Sequence, residues 1–375
     1  MEIEWIEASV GAASKPPEAK RGWLASHPYR KLKTIQEVSI MTPILTSAPC
    51  MRRFPGNPVL SPGDVPYPSD SVFNPGVVKY RGKYVMVFRN DYLKDSSRPY
   101  GGDNKFAGTN LGLAFSGDGI HWEVEPEPFL PLEHVRTDEI SRIYDPRVSI
   151  IDGEIYICFA MDTRHGLRGG IAKTNDFKDF EILSLSVPDN RNMALFPEKI
   201  AGRYCRLERP MPIYSRGHRD RFDTWLSYSP DLRYWGDSAL VLAVEDVPYA
   251  NDKTGPAAPP VKTKYGWLAT YHAVDTDPAR GKNGWEDKWR KRYCAGIMLL
   301  DLEDPSKVLG HTRQPLLAPE APYEIKGGFR NYAIFPCGMV LEDSGEVKLY
   351  YGAADMAVAL ATADAEDLVK LCLEG

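Results

Sequence analysis

The segment SRIYDPRVSI, residues 141 to 150, sets a carboxylate between an aromatic ring and a proline at the mouth of an apolar run. The proline disfavours a right-handed helical conformation at Asp145, so the segment reads as a strand that opens on an acid. Taken alone, Asp-Pro more often marks a strand start than a reactive group. Its company changes the reading. A second acid, Asp355, ends the stretch YYGAAD, and Arg89, Arg191, Arg209, Lys253 and His272 stand at comparable places in other apolar segments, with the amides Asn74 and Asn192. Two chemistries use such a set. Glycoside hydrolysis needs two carboxylates, one to protonate the leaving oxygen and one as base or nucleophile. Phosphorolysis needs one acid, because the attacking phosphate brings its own negative charge and is held by several cationic donors. More bases than acids favours the second, while Asp162 and Asp355 keep the first open.

These residues need elements to position them, and the chain supplies a repeat. Five segments start with a glycine turn and then alternate apolar and aromatic residues: GKYVMVFRN, GEIYICFAMD, GRYCRLERP, GWLATYHAVD and GEVKLYYGAAD. Alternation of period two after a glycine predicts the second strand of a hairpin. Each follows a strand marked by proline (FNPGVVKY, YDPRVSII, LFPEKI, APPVKT, IFPCGMVL) and precedes a third. Three of the third strands end in an Asp turn leading to an aromatic, as in Asp118 to Trp122. Strand, hairpin, strand and turn, five times over with unequal loops, predict an all-β, five-bladed β-propeller over residues 51–375. First strands then line a central channel, and a ligand funnel collects their leading ends and the ends of the second strands. Asn74, Asp145, Arg191, Asn192, Lys253, Arg330 and Asn331 belong to the first group; Arg89, Asp162, Arg209, His272 and Asp355 belong to the second. The C-terminal DAEDLVKLCLEG predicts one or two helical turns that close the ring.

Composition is that of an ordinary globular chain, with 43% hydrophobic and 26% charged residues. The net charge of −5 argues against a nucleic-acid surface. Six cysteines lie far apart with no Cys-x-x-Cys pair, which fits reduced thiols of a cytoplasmic protein better than disulfides or a metal site. No apolar run reaches the roughly 18 residues of a membrane span, and the acidic start is unlike a signal peptide.

The motifs YDPRV, DNRNMALFPEKI, RLERP, NDKTGPAAPPVKT, GWLATYHAVD, LLDLEDPSKVLG and YYGAAD, running from about Gly56 to the C-terminus, together resemble the β-mannoside phosphorylases of glycoside hydrolase family 130. The resemblance implies a five-bladed propeller that uses inorganic phosphate as co-substrate, with no cofactor. It implies cleavage of β-mannosides with inversion to α-mannose 1-phosphate. It also implies that Asp145 is the general acid, its proton passing through the 3-hydroxyl of the mannosyl unit. Arg191, Arg209, Lys253 and His272 match positions around phosphate; Asn74, Arg89, Asn192 and Asp355 match positions around the sugar. Several motifs look most like the branch acting on β-1,4-mannooligosaccharides, with other β-mannosides as the alternative. Acceptor choice is expected in the loops SSRPYGGDNKFAGTN and GKNGWEDKWRKRY, where Trp285 and Trp289 are either sugar platforms or loop packing.

Residues 1–50 stand outside the repeat as an arm. They hold Trp5, Ile6, Trp23 and Leu24 with little core of their own, and Arg30 to Val38 is the one stretch that suits a short helix. Such an arm is expected to bury its apolar residues on a second copy of the chain, making a homo-oligomer. Deleting residues 1–45 should therefore lower the particle mass in light scattering, and an unchanged mass would show that the arm serves its own propeller.

Overall fold

A computed structural model describes residues 45–94, 106–212, 221–277 and 290–374. The arm with its expected helix, and both Trp285 and Trp289, lie outside the described residues. Ile44–Gly375 forms one compact unit, a five-bladed β-propeller. A two-residue strand, β1 (Arg52–Arg53), comes first. Blade I follows as β2 (Ser71–Tyr80), β3 (Lys83–Lys94), β4 (Phe106–Ser116) and β5 (Glu123–Val124). Blade II is β6 (Ile140–Ile151), β7 (Glu154–Thr163), β8 (Gly166–Thr174) and β9 (Glu181–Leu185). Blade III is β10 (Asn190–Leu195), β11 (Tyr204–Pro210), β12 (Thr224–Ser229) and β13 (Gly236–Leu242). Blade IV holds β14 (Lys253–Pro256), β15 (Val261–Lys262), β16 (Trp267–Thr276), β17 (Lys291–Leu300) and β18 (Val308–His311). After the one-turn helix α1 (Pro322–Ile325), blade V is β19 (Ile334–Leu341), β20 (Glu346–Ala353) and β21 (Ala357–Asp364). Its outer strand is β1, brought back from the start of the ring.

The blades are antiparallel sheets buried on both faces. Successive side chains of a strand point to opposite faces, and on β3 Tyr84, Met86 and Phe88 join Tyr350, Val358 and Leu360 of blade V. Val85 and Val87 point the other way, to Ile143, Val148 and Ile157 of blade II. This explains why the second strands read as nearly unbroken apolar runs.

Three expectations need correction. The first strands of blades III and IV are β10 and β14, not LFPEKI and APPVKT, whose prolines lie in the connections that follow. Asp145 does not open its strand, since β6 begins at Ile140. The C-terminal helix α2 (Ala365–Leu373) packs beside β17, β18 and β21, but the ring is closed by β1 pairing with β21.

Closure is fastened by one guanidinium. Arg53 donates from Nε to Glu324 Oε1 at 2.8 Å and from Nη2 to Glu324 Oε2 at 3.0 Å, and also reaches Glu320 and the Ala318 carbonyl. Glu324, fully buried on α1, accepts Tyr351 Oη and the backbone amides of Glu320 and Ala321 as well. Removing one partner of a buried pair leaves the other charge uncompensated. Arg53→Ala should cost about 3 kcal/mol in urea unfolding followed by tryptophan fluorescence; an unchanged midpoint would show that closure does not rest on this contact.

Candidate active site

Three inner strands lose register around an Asn or Asp. The breaks fall between Phe73 and Gly76 on β2, Tyr144 and Arg147 on β6, and Arg191 and Ala194 on β10. Each break holds an Asn or Asp in left-handed backbone: Asn74 at φ 50°, Asp145 at φ 55° and Asn192 at φ 58°. Asn and Asp enter this region more readily than other non-glycine residues, and a bulge re-aims a side chain out of the ladder. Asp355, at φ 51°, takes up the same backbone conformation in the β20–β21 turn. These four line one cavity of about 440 Å³ together with Arg89 of β3, Arg191, Arg209 of β11 and Lys253 of β14.

On the side of blades I and II the polar groups are tied to one another. Asp145 Oδ1 accepts Asn74 Nδ2 at 2.8 Å and Arg89 Nη1 at 3.3 Å. Arg89 is itself clamped by Asp91, through Nε at 3.0 Å and Nη2 at 2.7 Å, while the rings of Phe73 and Tyr144 lie 4.5 and 4.7 Å from its guanidinium. Burial pushes the Asp145 carboxyl up, but the Arg89 charge, the Asn74 hydrogen bond, Arg147 and Arg191 outweigh it and hold the group below the usual carboxylate range. Asp355 Oδ2 accepts Arg330 Nη1 at 2.5 Å. Asp162 is absent from the cavity wall and is bound by Arg142 Nε at 2.5 Å and Tyr144 Oη at 2.7 Å.

The side formed by blades III and IV is electropositive. Neither Arg191 nor Arg209 meets a carboxylate among the described residues, and the Nε of each is buried without a hydrogen-bond partner. Burial, followed by the charge of Arg191, presses Arg209 down to about 9. Lys253 Nζ stands 3.9 Å from Asp252 Oδ1, whose other oxygen accepts Lys291 at 3.0 Å and Thr276 Oγ1 at 2.6 Å. His272 differs from the sequence reading because it does not line the cavity. It is fully buried, and its Nε2 accepts Arg209 Nη1 at 2.8 Å. Burial and then the charges of Arg209, Arg147, Lys253 and Arg191 drive its pKa well below the ordinary histidine value, so the ring is neutral.

Among the described residues the wall holds eight Lys or Arg side chains against three carboxylates, Asp91, Asp145 and Asp355. Like charges gathered in a poorly hydrated site repel one another, and an anion relieves that repulsion. Sequence reasoning missed Asp91, Arg142, Tyr144, Tyr293, Phe335 and the pair Phe106 and Phe329, packed edge to face at 4.8 Å. Apolar rings in strands carry no signal that separates cavity walls from core. Tyr144 is the first residue of the YDPR motif and Arg142 stands two positions before it, so both were within reach.

A propeller funnel with an acid on one side and a bank of cations on the other defines an enzyme that works on glycosidic bonds. The chain belongs to glycoside hydrolase family 130: the family's model, described as beta-1,4-mannooligosaccharide phosphorylase, matches residues 50–374. A beta-1,4-mannooligosaccharide phosphorylase of Ruminococcus albus is 33% identical over 328 residues, covering 84% of this chain and 89% of its own. A 1,2-beta-oligomannan phosphorylase of Thermoanaerobacter sp. is 30% identical over 323 residues, covering 85% and 98%. Among solved structures, the beta-1,2-mannobiose phosphorylase of Listeria innocua in complex with beta-1,2-mannobiose superimposes with a TM-score of 0.72 at 28% identity, covering 87% of this chain and 99% of that one.

The cation bank depends on a glycine. A Cβ on Gly255 would lie 2.4 Å from His272 Cε1 and 2.8 Å from Arg209 Cδ, so alanine forces the hydrogen-bonded pair to move. Gly255→Ala should lower kcat/KM by about 10²-fold, the scale of an ångström-sized misplacement, with the melting temperature little changed. Activity close to wild type would mean that the Arg209–His272 geometry is not needed.

Proposed function

We propose that the enzyme carries out inverting phosphorolysis of β-1,4-mannooligosaccharides, releasing α-D-mannose 1-phosphate from the non-reducing end. One observation carries this reading: Arg191 and Arg209 line the cavity and, among the described residues, neither has a carboxylate at ion-pairing distance. The second carboxylate a hydrolase would need finds little support, because Asp355 is held by Arg330, Asp91 by Arg89, and Asp162 by Arg142 and Tyr144. The β-1,4 linkage is favoured by the family description and the Ruminococcus albus relative; relatives named for β-1,2-mannosides keep that linkage as the competing substrate.

In this reading phosphate sits against Arg191, Arg209 and Lys253, with His272 acting through Arg209. Asn74, Arg89, Asn192 and Asp355 hold the mannosyl unit. A phosphate oxygen bonds to the anomeric carbon on the face opposite the glycosidic oxygen. The bond to the acceptor breaks, and its electron pair stays with the acceptor oxygen. Asp145 gives its proton to the sugar 3-hydroxyl, which passes its own to that oxygen; the carboxylate then recovers a proton from the phosphate. Phosphate also prepares the acid. Its negative charge opposes the cations that depress Asp145, so the protonated form gains ground when the nucleophile is in place. The six free cysteines support a reducing, cytoplasmic setting, and self-association through residues 1–50 belongs to the same reading.

Incubation with β-1,4-mannobiose should yield mannose 1-phosphate only when phosphate is present, and free mannose as the product would mean hydrolysis. Asp145→Asn keeps the shape but has no acidic proton to give, so turnover should fall by about 10²- to 10⁴-fold or more. More than half of wild-type activity would remove Asp145 from the mechanism.

A further inference from the structure

Arg147 is a buried guanidinium that no step above employs. Only 1% exposed, it meets no carboxylate at ion-pairing distance among the described residues. Its contacts are backbone ones. Nη1 donates to the carbonyl of Asp145 at 3.2 Å, and Nε donates to the carbonyl of Ala257 at 2.5 Å. Nη2 is buried without a partner, and the guanidinium lies 5.7 Å from the Phe335 ring centroid. Asp145 sits in the bulge of blade II, Ala257 directly follows the β14 strand that carries Lys253 and Gly255, and Phe335 belongs to blade V. One side chain thus joins three blades across the channel, skipping blade III. An arginine with no acid partner is an expensive way to fill space, whereas a fork fixed by two carbonyls suits a strut.

We propose that Arg147 is a positioning residue of the reaction: it fixes the bulge that presents Asp145 relative to the strand that presents Lys253, and its charge adds to that of the neighbouring anion site. This rests on the phosphorolysis reading for the identity of the anion, but not for the acid. Asp145 faces Asn74 from β2, Arg89 from β3, Arg191 from β10 and the Cys337 thiol from β19, besides Tyr144 and Arg147 on its own strand. The Arg147 charge favours the Asp145 carboxylate, so removing it must raise the pH at which the acid loses its proton. A purely structural role moves no such limb.

The test uses the full chain with Arg147→Met, which keeps much of the bulk without the charge, and Arg147→Lys, which keeps the charge without the fork. Phosphate affinity is read by calorimetry with inorganic phosphate alone, and mannoside kcat and kcat/KM are followed against pH. For Arg147→Met the alkaline limb should move up by about one pH unit, and phosphate binding should weaken by about tenfold. For Arg147→Lys both should stay nearer wild type while kcat falls by about tenfold. Folded variants with the wild-type limb, phosphate affinity and kcat would overturn the proposal. Should the Met variant fail to fold, wild-type kcat in the Lys variant overturns it alone. Wild-type protein that takes up no phosphate would sink the phosphorolysis reading instead, and the pH limb of whatever mannoside cleavage remains would still judge Arg147.

Discussion

Burial of both faces of every blade is the constraint on which the rest depends. Alternate side chains of β3 serve two different cores, one shared with blade V and one with blade II. A sheet with two apolar faces has no stable existence at an open edge of the array, because one face would meet water. The ring must close, and closing it turns the five inner strands toward one axis. A carboxylate on blade II and a lysine on blade IV, 108 positions apart in the chain by their numbers, become neighbours of one cavity for that reason.

Convergence alone would give a channel lined by strand backbone. The bulges at Asn74, Asp145 and Asn192 convert it into a site by turning single polar side chains out of their ladders and into one cavity. Around them the charges are unevenly satisfied. Those toward blades I and II are paired carboxylate to guanidinium, which fixes them as rigid hydrogen-bonding surface. Those toward blades III and IV include Arg191 and Arg209, which meet no carboxylate among the described residues, and this leaves positive potential for a ligand to answer. A fixed polar wall suits a neutral sugar, and an unanswered positive one suits an anion.

The repeat was legible because hairpins announce themselves: a glycine turn followed by alternating apolar residues marks all five second strands. Inner strands were harder. In blades I, II and V a proline sits inside the strand at the register break, as Pro75, Pro146 and Pro336 do, so proline served as a guide. Blade III reaches the same bulge with Met193 after Asn192, and the proline of LFPEKI lies beyond the strand; the guide therefore pointed too far along. Outer strands such as Glu123–Val124 and Gly236–Leu242 are short or largely exposed and carry no alternation to find. Most of the polar cavity wall was visible as charge at strand ends. His272 was placed in the same neighbourhood, but sequence gives no sign that Arg209 would cover it. The clamp of Asp91 on Arg89 went unseen, since two residues apart on a strand gives no hint of two hydrogen bonds between side chains.

The return of β1 to blade V has a bearing on how the molecule is made. Arg52 and Arg53 pair with Thr362 and Ala361, so some of the earliest residues of the propeller await some of the last. During synthesis, blades I to IV can assemble in order as they emerge, each covering the exposed face of the one before. Blade V cannot be completed until β21 has been made and β1 finds it, a contact of long sequence separation and of the slowest kind to form. Until that moment the nascent ring has a seam with apolar faces open on either side. The catalytic cavity, which draws walls from blades on both sides of the seam, comes into being last.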